Sequence, residues 1–458
     1  MQRSLYWFTK DLRINDNIAL NIASESDSLL CVFIVDKRWF SSSNFQSVPL
    51  GIKRWQFLQA CLVDLEQSLA NLGQKLHVVY GESLFCLKTL CDAYNITDLI
   101  YTDLPGSYEQ ATVNKLEEQL PNVQHHSIEQ FTLFSSDILP FDQSIFPVSY
   151  SKFRKLVKHV IVPQPCELAN TLPKQLIAKP SSHVASVLAT QLSKPDWLPR
   201  VISLDDLLLS PPFVGGETAA LNRLNNYFNS ALPASYKEVR NNLSGWDNSS
   251  KLSPWLGYGC MSARQVVQAI RHYESTSVQN ESTEWLYVEL LWREYFQWVH
   301  FAIGAKMYQF QGLNDTPPLT SFYPERFAKW CAGKTPFPLV NACMHELKQT
   351  GYLSNRGRQI VASCLVNELA VDWRYGAAWF EEQLVDYDAA VNWGNWQYIA
   401  GVGVDPRGGR HFNLAKQTQF YDADGSYQRT WNISSLEHTQ ALDSVNEVDW
   451  PVSSVSRG

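Results

Sequence analysis

The chain has 458 residues, 45% hydrophobic and 18% charged, a globular composition with length for two or three domains, which excludes a disordered or fibrous protein. A net charge of −7 excludes broad nonspecific adhesion to nucleic acid, so a DNA contact needs a local basic patch. Nine cysteines with no C-x-x-C pair describe neither a disulfide framework nor a zinc site and fit a reduced cytoplasm.

The start, MQRSLYWFTKDLR, carries charges where an export signal needs an apolar core, and the longest apolar run, Leu29 to Val35, is too short for a membrane span. SLYWF, LLCVFIV, LHVVY and DLIYT then read as buried strands separated by amphipathic stretches such as Ile52 to Leu72. That alternation predicts a Rossmann-like α/β domain with a parallel sheet over residues 1–135. No G-x-G-x-x-G follows the first strand and no G-x-x-x-x-G-K-[ST] occurs, so this unit has no phosphate-cradling loop of its own.

Residues 136–215 read as a connector, because Val160 to Gly215 holds eight of the chain's 22 prolines and little periodicity. Over 216–432 helical periodicity dominates, clearest in Gly216 to Asn229, Ser262 to Tyr273, Glu284 to Phe301, Pro338 to Thr350 and Asn355 to Leu369. A mainly α-helical second domain follows, and 433–458 reads as a loose tail. The chain's 16 Trp, 20 Tyr and 22 Phe hint at planar ligands or electron chemistry.

Four stretches carry chemistry. In ESTEWLYVELLWREYFQWVHF, Glu289, Trp292 and Phe296 fall at i, i+3 and i+7 on one helix face. Glu289 is either a surface carboxylate paired with Arg293 or a group held against rings that resists ionisation. In NRGRQIVASCLVNEL, Asn355, Arg358 and Gln359 share a stripe, either solvated or a wall of hydrogen-bonding groups. In VDYDAAVNWGNWQY, Asp388 and Asn392 align if the segment is helical, whereas Asp386 and Asp388 together favour an irregular turn, and Asp386 is a natural mate for Arg358. GWDNSSKLSPW places Ser249 to Ser253 before a helix start, suited to a pyrophosphate or to simple N-capping.

WFTKDLRINDNIAL, SSKLSPWLGYG, ELLWREYF, NRGRQIVAS, DWRYGAAWFE and DYDAAVNWGNWQY together resemble, in order and spacing, the photolyase and cryptochrome flavoprotein family, from about residue 3 to 431. GGETAALNRL, YKEVRNN and GVGVDPRGGRHFN resemble its DASH cryptochrome branch. The resemblance implies FAD in the helical domain: Tyr236, Ser249, Ser250, Lys251, Leu252 and Ser253 at the phosphates, and Asp386, Asp388 and Asn392 around the isoalloxazine, with Arg358 paired to Asp386 and Asn392 at flavin N5. It implies blue-light splitting of cyclobutane pyrimidine dimers by an electron from excited reduced flavin. Glu289 then hydrogen-bonds the dimer, Trp292 and Asn355 contact flipped bases, and Trp396 and Trp373 match the two inner members of a tryptophan chain that reduces the flavin.

Relatives acting on (6-4) lesions carry histidines at Asn355 and Gln359, which disfavours that substrate. Duplex dimer photolyases show Met and Trp where this chain has Gln359 and Tyr398, a polar pair typical of the branch. Extracting a dimer from duplex costs a few kcal/mol, about least in single strands, so single-stranded DNA is the expected substrate. Arg240, Arg407, Arg410 and Lys416 are the candidate phosphate contacts. Thr9 stands where the family has Arg, and the outermost tryptophan is missing, with Phe322 and Tyr323 nearby. A 5,10-methenyltetrahydrofolate antenna between the domains is implied, deazaflavin being the runner-up. A cytoplasmic monomer without metal is expected, and a blue-light receptor signalling through a partner is the alternative.

Overall fold

The computed structural model describes residues 1–45, 48–142, 146–167, 171–176, 193–199, 213–404 and 408–431. The expected tail, Arg407 and much of the connector lie outside these residues.

Among the described residues six strands form one parallel sheet: β1 (Arg3–Phe8), β2 (Ser28–Asp36), β3 (Leu76–Gly81), β4 (Asp98–Thr102), β5 (Gln124–Ile128) and β6 (Lys174–Gln175). Their order is β3-β2-β1-β4-β5, with β6 pairing β2. β2 is buried at all its positions because helices cover both faces of the sheet, which is why its sequence runs apolar instead of alternating. β5, with the sequence QHHSI, and two-residue β6 were not foreseen. β5 is polar and half exposed at the sheet edge, and β6 meets β2 only at Ser28 and Leu29, ahead of β3.

Alternation along β1 divides the molecule's interior. Leu5 and Trp7 face a small core made with helices Ser83–Tyr94 and Ser107–Gln119. Tyr6 and Phe8 face the other way, into a core continuous with the helical part. The sheet thereby forms one wall of the helical part's interior.

In the helical part, Glu217–Phe228, Ala263–Thr276, Glu281–Ile303, Pro338–Thr350 and Asn355–Ser363 lie where periodicity placed helices. Capping boxes start two of them: Ser262 with Gln265, and Asn280 with Thr283. The second cap begins its helix before the Glu284 start expected from apolar spacing. The expected run from Asn355 to Leu369 instead changes at Cys364–Glu368 into a π turn, a local widening that recurs near functional sites. None of the helices in the described residues is long and apolar enough to cross a membrane.

The DLRINDN loop after β1 joins the two parts. Arg264 makes a bidentate pair with Asp16 at 3.0 and 3.1 Å, both side chains buried. Arg13 donates to the Asp16 carbonyl at 2.9 and 3.1 Å and to the Gly259 carbonyl at 3.0 Å. Gly259 is required there: its φ is +67°, and a Cβ would lie 1.8 Å from the Lys10 carbonyl oxygen. Glu217 accepts the backbone N–H groups of Ile14 and Asn15 at 2.7 and 3.0 Å.

Desolvation alone would raise the Asp16 carboxyl, but the Arg264 guanidinium and its hydrogen bonds outweigh it and hold the group below its ordinary value of 3.8. A depressed carboxylate stabilises the fold above its unfolded pKa and loses that contribution as pH falls through the folded value. Asp16→Asn keeps a residue tolerant of the positive φ of 50° but leaves Arg264 unpaired. The expected loss is about 3–5 kcal/mol in urea unfolding at neutral pH, with the difference from the parent shrinking in strong acid.

Candidate functional site

A cavity of about 460 Å³ opens in the helical part, within the roughly 300–1,000 Å³ of cofactor and ligand sites. One wall is the turn before helix Ala389–Ala400. Asp388 is its N-cap, with extended backbone and a side chain accepting from the Val391 N–H at 3.1 Å. Gln297 donates to both Asp388 oxygens at 2.7 and 2.8 Å. Asn392 follows one turn on and gives an amide N–H to the Ala377 carbonyl at 2.9 Å. Asp386, two residues earlier and outside the helix, accepts at Oδ2 from Arg358 at 2.8 Å and from the Ser253 hydroxyl at 2.7 Å. Its Oδ1 is buried with no hydrogen-bond partner among the described residues.

The second wall is helix Asn355–Ser363, capped by Ser354. Arg358 and Gln359 line the cavity with Asn355, which is exposed. Gln359 Oε1, like Asp386 Oδ1, is buried and unpartnered. Loop 249–253 closes a third side, with Lys251 at φ +58° and Ser253 spent on Asp386, so that hydroxyl serves the wall's own ion pair. Arg223, which sequence reasoning missed, ties the loop down by donating to the Ser250 and Ser249 carbonyls at 2.9 and 3.2 Å. Tyr236 and Leu252 also line the cavity.

Helix Glu281–Ile303 supplies the last wall. Glu289 does not pair with Arg293; its partners are Arg240 at 2.6 Å and the Trp285 indole N–H at 2.9 Å. Arg293 instead donates to the Phe131 carbonyl at 3.0 Å and lies 3.8 Å from Asp388. A third of the Glu289 side chain is water-accessible (33%). That water lies in a protein-walled cavity, and desolvation raises the carboxyl above its ordinary range against the opposing pull of Arg240 and Trp285. Arg240, expected at a DNA phosphate, is thus turned into the cavity, a pairing that no spacing of 49 residues announces. Arg410 donates to the Tyr398 hydroxyl at 2.5 Å and lies 4.9 Å over its ring, and Lys416 is exposed on helix Leu414–Tyr421. Arg356, also missed, donates to Asn241 at 3.2 Å beside Asn355.

Of the two expected electron carriers, Trp396 lines the cavity and Trp373 is fully buried. Among the described residues, the ring contacts of Trp396 are with Phe380 at 5.1 Å and Trp330 at 6.3 Å, whereas Trp373 meets Trp393 at 5.8 Å. Gly376 makes room for Trp396, since a Cβ there would lie 2.2 Å from the indole. Phe322 and Tyr323 are 42% and 40% exposed, and Phe322 stacks on Tyr375 at 4.0 Å.

These walls fit FAD by their chemistry. Lys251 brings positive charge for a diphosphate, and Asp386 Oδ1, unpartnered among the described residues, accepts from an N–H or O–H group. Between sheet and helical part, Lys10, Glu109, Phe131 and Gln297 help enclose a second cavity of about 40 Å³, far below the roughly 300 Å³ of a small-molecule site, so this cavity is too small for a folate.

Comparison with known proteins identifies the family. The family described as FAD binding domain of DNA photolyase matches residues 285–453, and that described as DNA photolyase matches 4–170. The Cryptochrome DASH of Idiomarina loihiensis is 42% identical over 98% of this chain and 96% of its own. The crystal structure of the Synechocystis sp. cryptochrome superposes with a TM-score of 0.87 at 36% identity, covering 94% of this chain and 88% of that one. A class III photolyase from Agrobacterium tumefaciens gives a TM-score of 0.76 at 28% identity, covering 94% and 86%. With an α/β parallel-sheet domain, a helical FAD-binding domain and these relatives, the chain belongs to the photolyase and cryptochrome flavoprotein family, in its DASH cryptochrome branch.

Proposed function

We propose that the protein is a blue-light-dependent DNA photolyase that splits cyclobutane pyrimidine dimers, preferentially in single-stranded DNA. The observation that carries the reading is that Glu289, Trp292, Gln359 and Tyr398 line the same cavity as Arg358, Asp386, Asp388 and Asn392. The first group would hold a lesion and the second a flavin, within one cavity.

FAD held by Arg358, Asp386, Asp388 and Asn392 would supply, when reduced and excited by light, a reversible one-electron donor for opening the two cyclobutane C–C bonds, which makes the overall reaction redox-neutral. The chain's own residues bind, orient and stabilise charge. Glu289 and Arg240 together offer hydrogen bonds and positive charge where the dimer carbonyls gain electron density, in a cavity whose walls keep such interactions strong. Trp292 offers a ring for stacking, and Asn355 and Gln359 offer amides for base edges. Gln359 and Tyr398 make the pocket polar, and Tyr398 is already engaged by Arg410. Such a pocket offers less stacking surface to recover the cost of unpairing a duplex, which favours strands already single. Asn355 on the cavity wall, Arg410 beside Tyr398, Arg356 and the exposed Lys416 are the proposed DNA contacts.

Purified protein incubated with dimer-bearing oligonucleotides under blue light tests the reading: repair of single strands is expected, and no repair of either single or double strands rejects it. Glu289→Gln should retain flavin and slow repair about tenfold, the value of a hydrogen bond to a charged group of about 1.5 kcal/mol; an unchanged rate would remove Glu289 from this role. Trp396→Phe should lose most light-driven flavin reduction, followed by absorbance, because Trp396 is the member of the expected chain on the cavity wall. Reduction as fast as in the parent would show that electrons enter elsewhere.

A further inference from the structure

We propose that Tyr150, in the segment joining sheet and helical part, is a positioning residue that holds Trp292 as a one-faced platform for an unpaired base; this rests on the repair reading above. The Tyr150 and Trp292 rings stack 3.6 Å apart at 10°. Trp292 lines the cavity and Tyr150 does not, so the covered face of the indole is the one turned away from it. Tyr398 meets Trp292 edge-on, 6.2 Å away at 75°. Phe296, also on the cavity wall, lies 5.8 Å from the same indole at 31°, so the rings form an aromatic corner on its cavity side.

Tyr150 is itself anchored. Its hydroxyl donates to the Val288 carbonyl at 3.2 Å, one turn before Trp292 on the same helix, and its ring meets Tyr295 at 5.8 Å and 75°. It opens helix Tyr150–Leu156, capped by Ser149, and Arg154 on that helix pairs with Glu284 at 2.7 Å. Without the stack, Trp292 would gain rotamer freedom that a bound base would have to remove, weakening recognition without touching the reacting atoms.

The test measures dark binding of a dimer-bearing single-stranded oligonucleotide and its repair in blue light for the parent, Tyr150→Phe and Tyr150→Met. Phe keeps the ring and loses the hydroxyl, whereas Met keeps much of the volume and loses the plane. The Met variant is expected to retain flavin and maximal rate but to bind the lesion about two- to tenfold more weakly, a change in KM and not in kcat. The Phe variant should bind as the parent does. A Met variant equal to a parent that binds and repairs overturns this proposal and leaves the repair reading standing. An equal loss in Phe and Met assigns the effect to the hydroxyl, and a fall in kcat with loss of flavin marks a structural role; each overturns it. A parent that binds without repairing refutes the repair reading alone, and the binding ratio still decides on Tyr150. A parent that does neither overturns both.

Discussion

The half-buried ion pair between Arg358 and Asp386 is the contact on which the cavity depends. It joins a helix, an irregular turn and, through Ser253, a loop more than 130 residues away in sequence. Desolvation opposes the Arg358 charge, yet Asp386 more than restores it, which raises the guanidinium above its ordinary value. An arrangement of this kind is costly if half of it is removed and adds little as an isolated pair. Its use lies in geometry: it keeps three walls at a fixed separation while leaving Asp386 Oδ1 unpartnered for a ligand.

The fourth wall is set by a different set of contacts. Helix Glu281–Ile303 carries Glu289, Trp292 and Gln297 inward, and Glu294 on the same helix accepts the backbone N–H groups of Leu133 and Phe134 at 2.8 and 3.1 Å. The helix that brings the proposed catalytic acid is thereby pinned to the segment leaving the sheet domain. Tyr150 and Arg154 pin it again from the connector. The DLRINDN loop, met first as a recognition motif, acts here as a docking surface between the two parts.

Local chemistry was readable wherever one element suffices. The continuous apolar run of β2 announced a strand covered on both faces, and Ser262 and Asp388 are cap residues of ordinary kind. Even the incompatibility of Asp386 and Asp388 on one helix was readable, because the helix begins between them and Asn392. β5 escaped because a polar edge strand has no periodicity to detect. Arg240 was taken for a surface cation, and Tyr150 drew no notice inside a stretch without pattern, because nothing near either residue in sequence names its partner.

The chain by itself determined its parallel sheet and its helical second part, through period and residue type, and its family, through ordered motifs whose resemblance implied many of the wall residues. Only the tertiary structure decided that Glu289 pairs with Arg240 and not with Arg293, that Ser253 is spent on Asp386, and that Tyr150 covers a face of Trp292. The reason is physical. Helical neighbours are set by a repeat of about 3.6 residues, whereas a side chain with several possible partners is committed by burial, which brings together segments whose separation along the chain carries no signal.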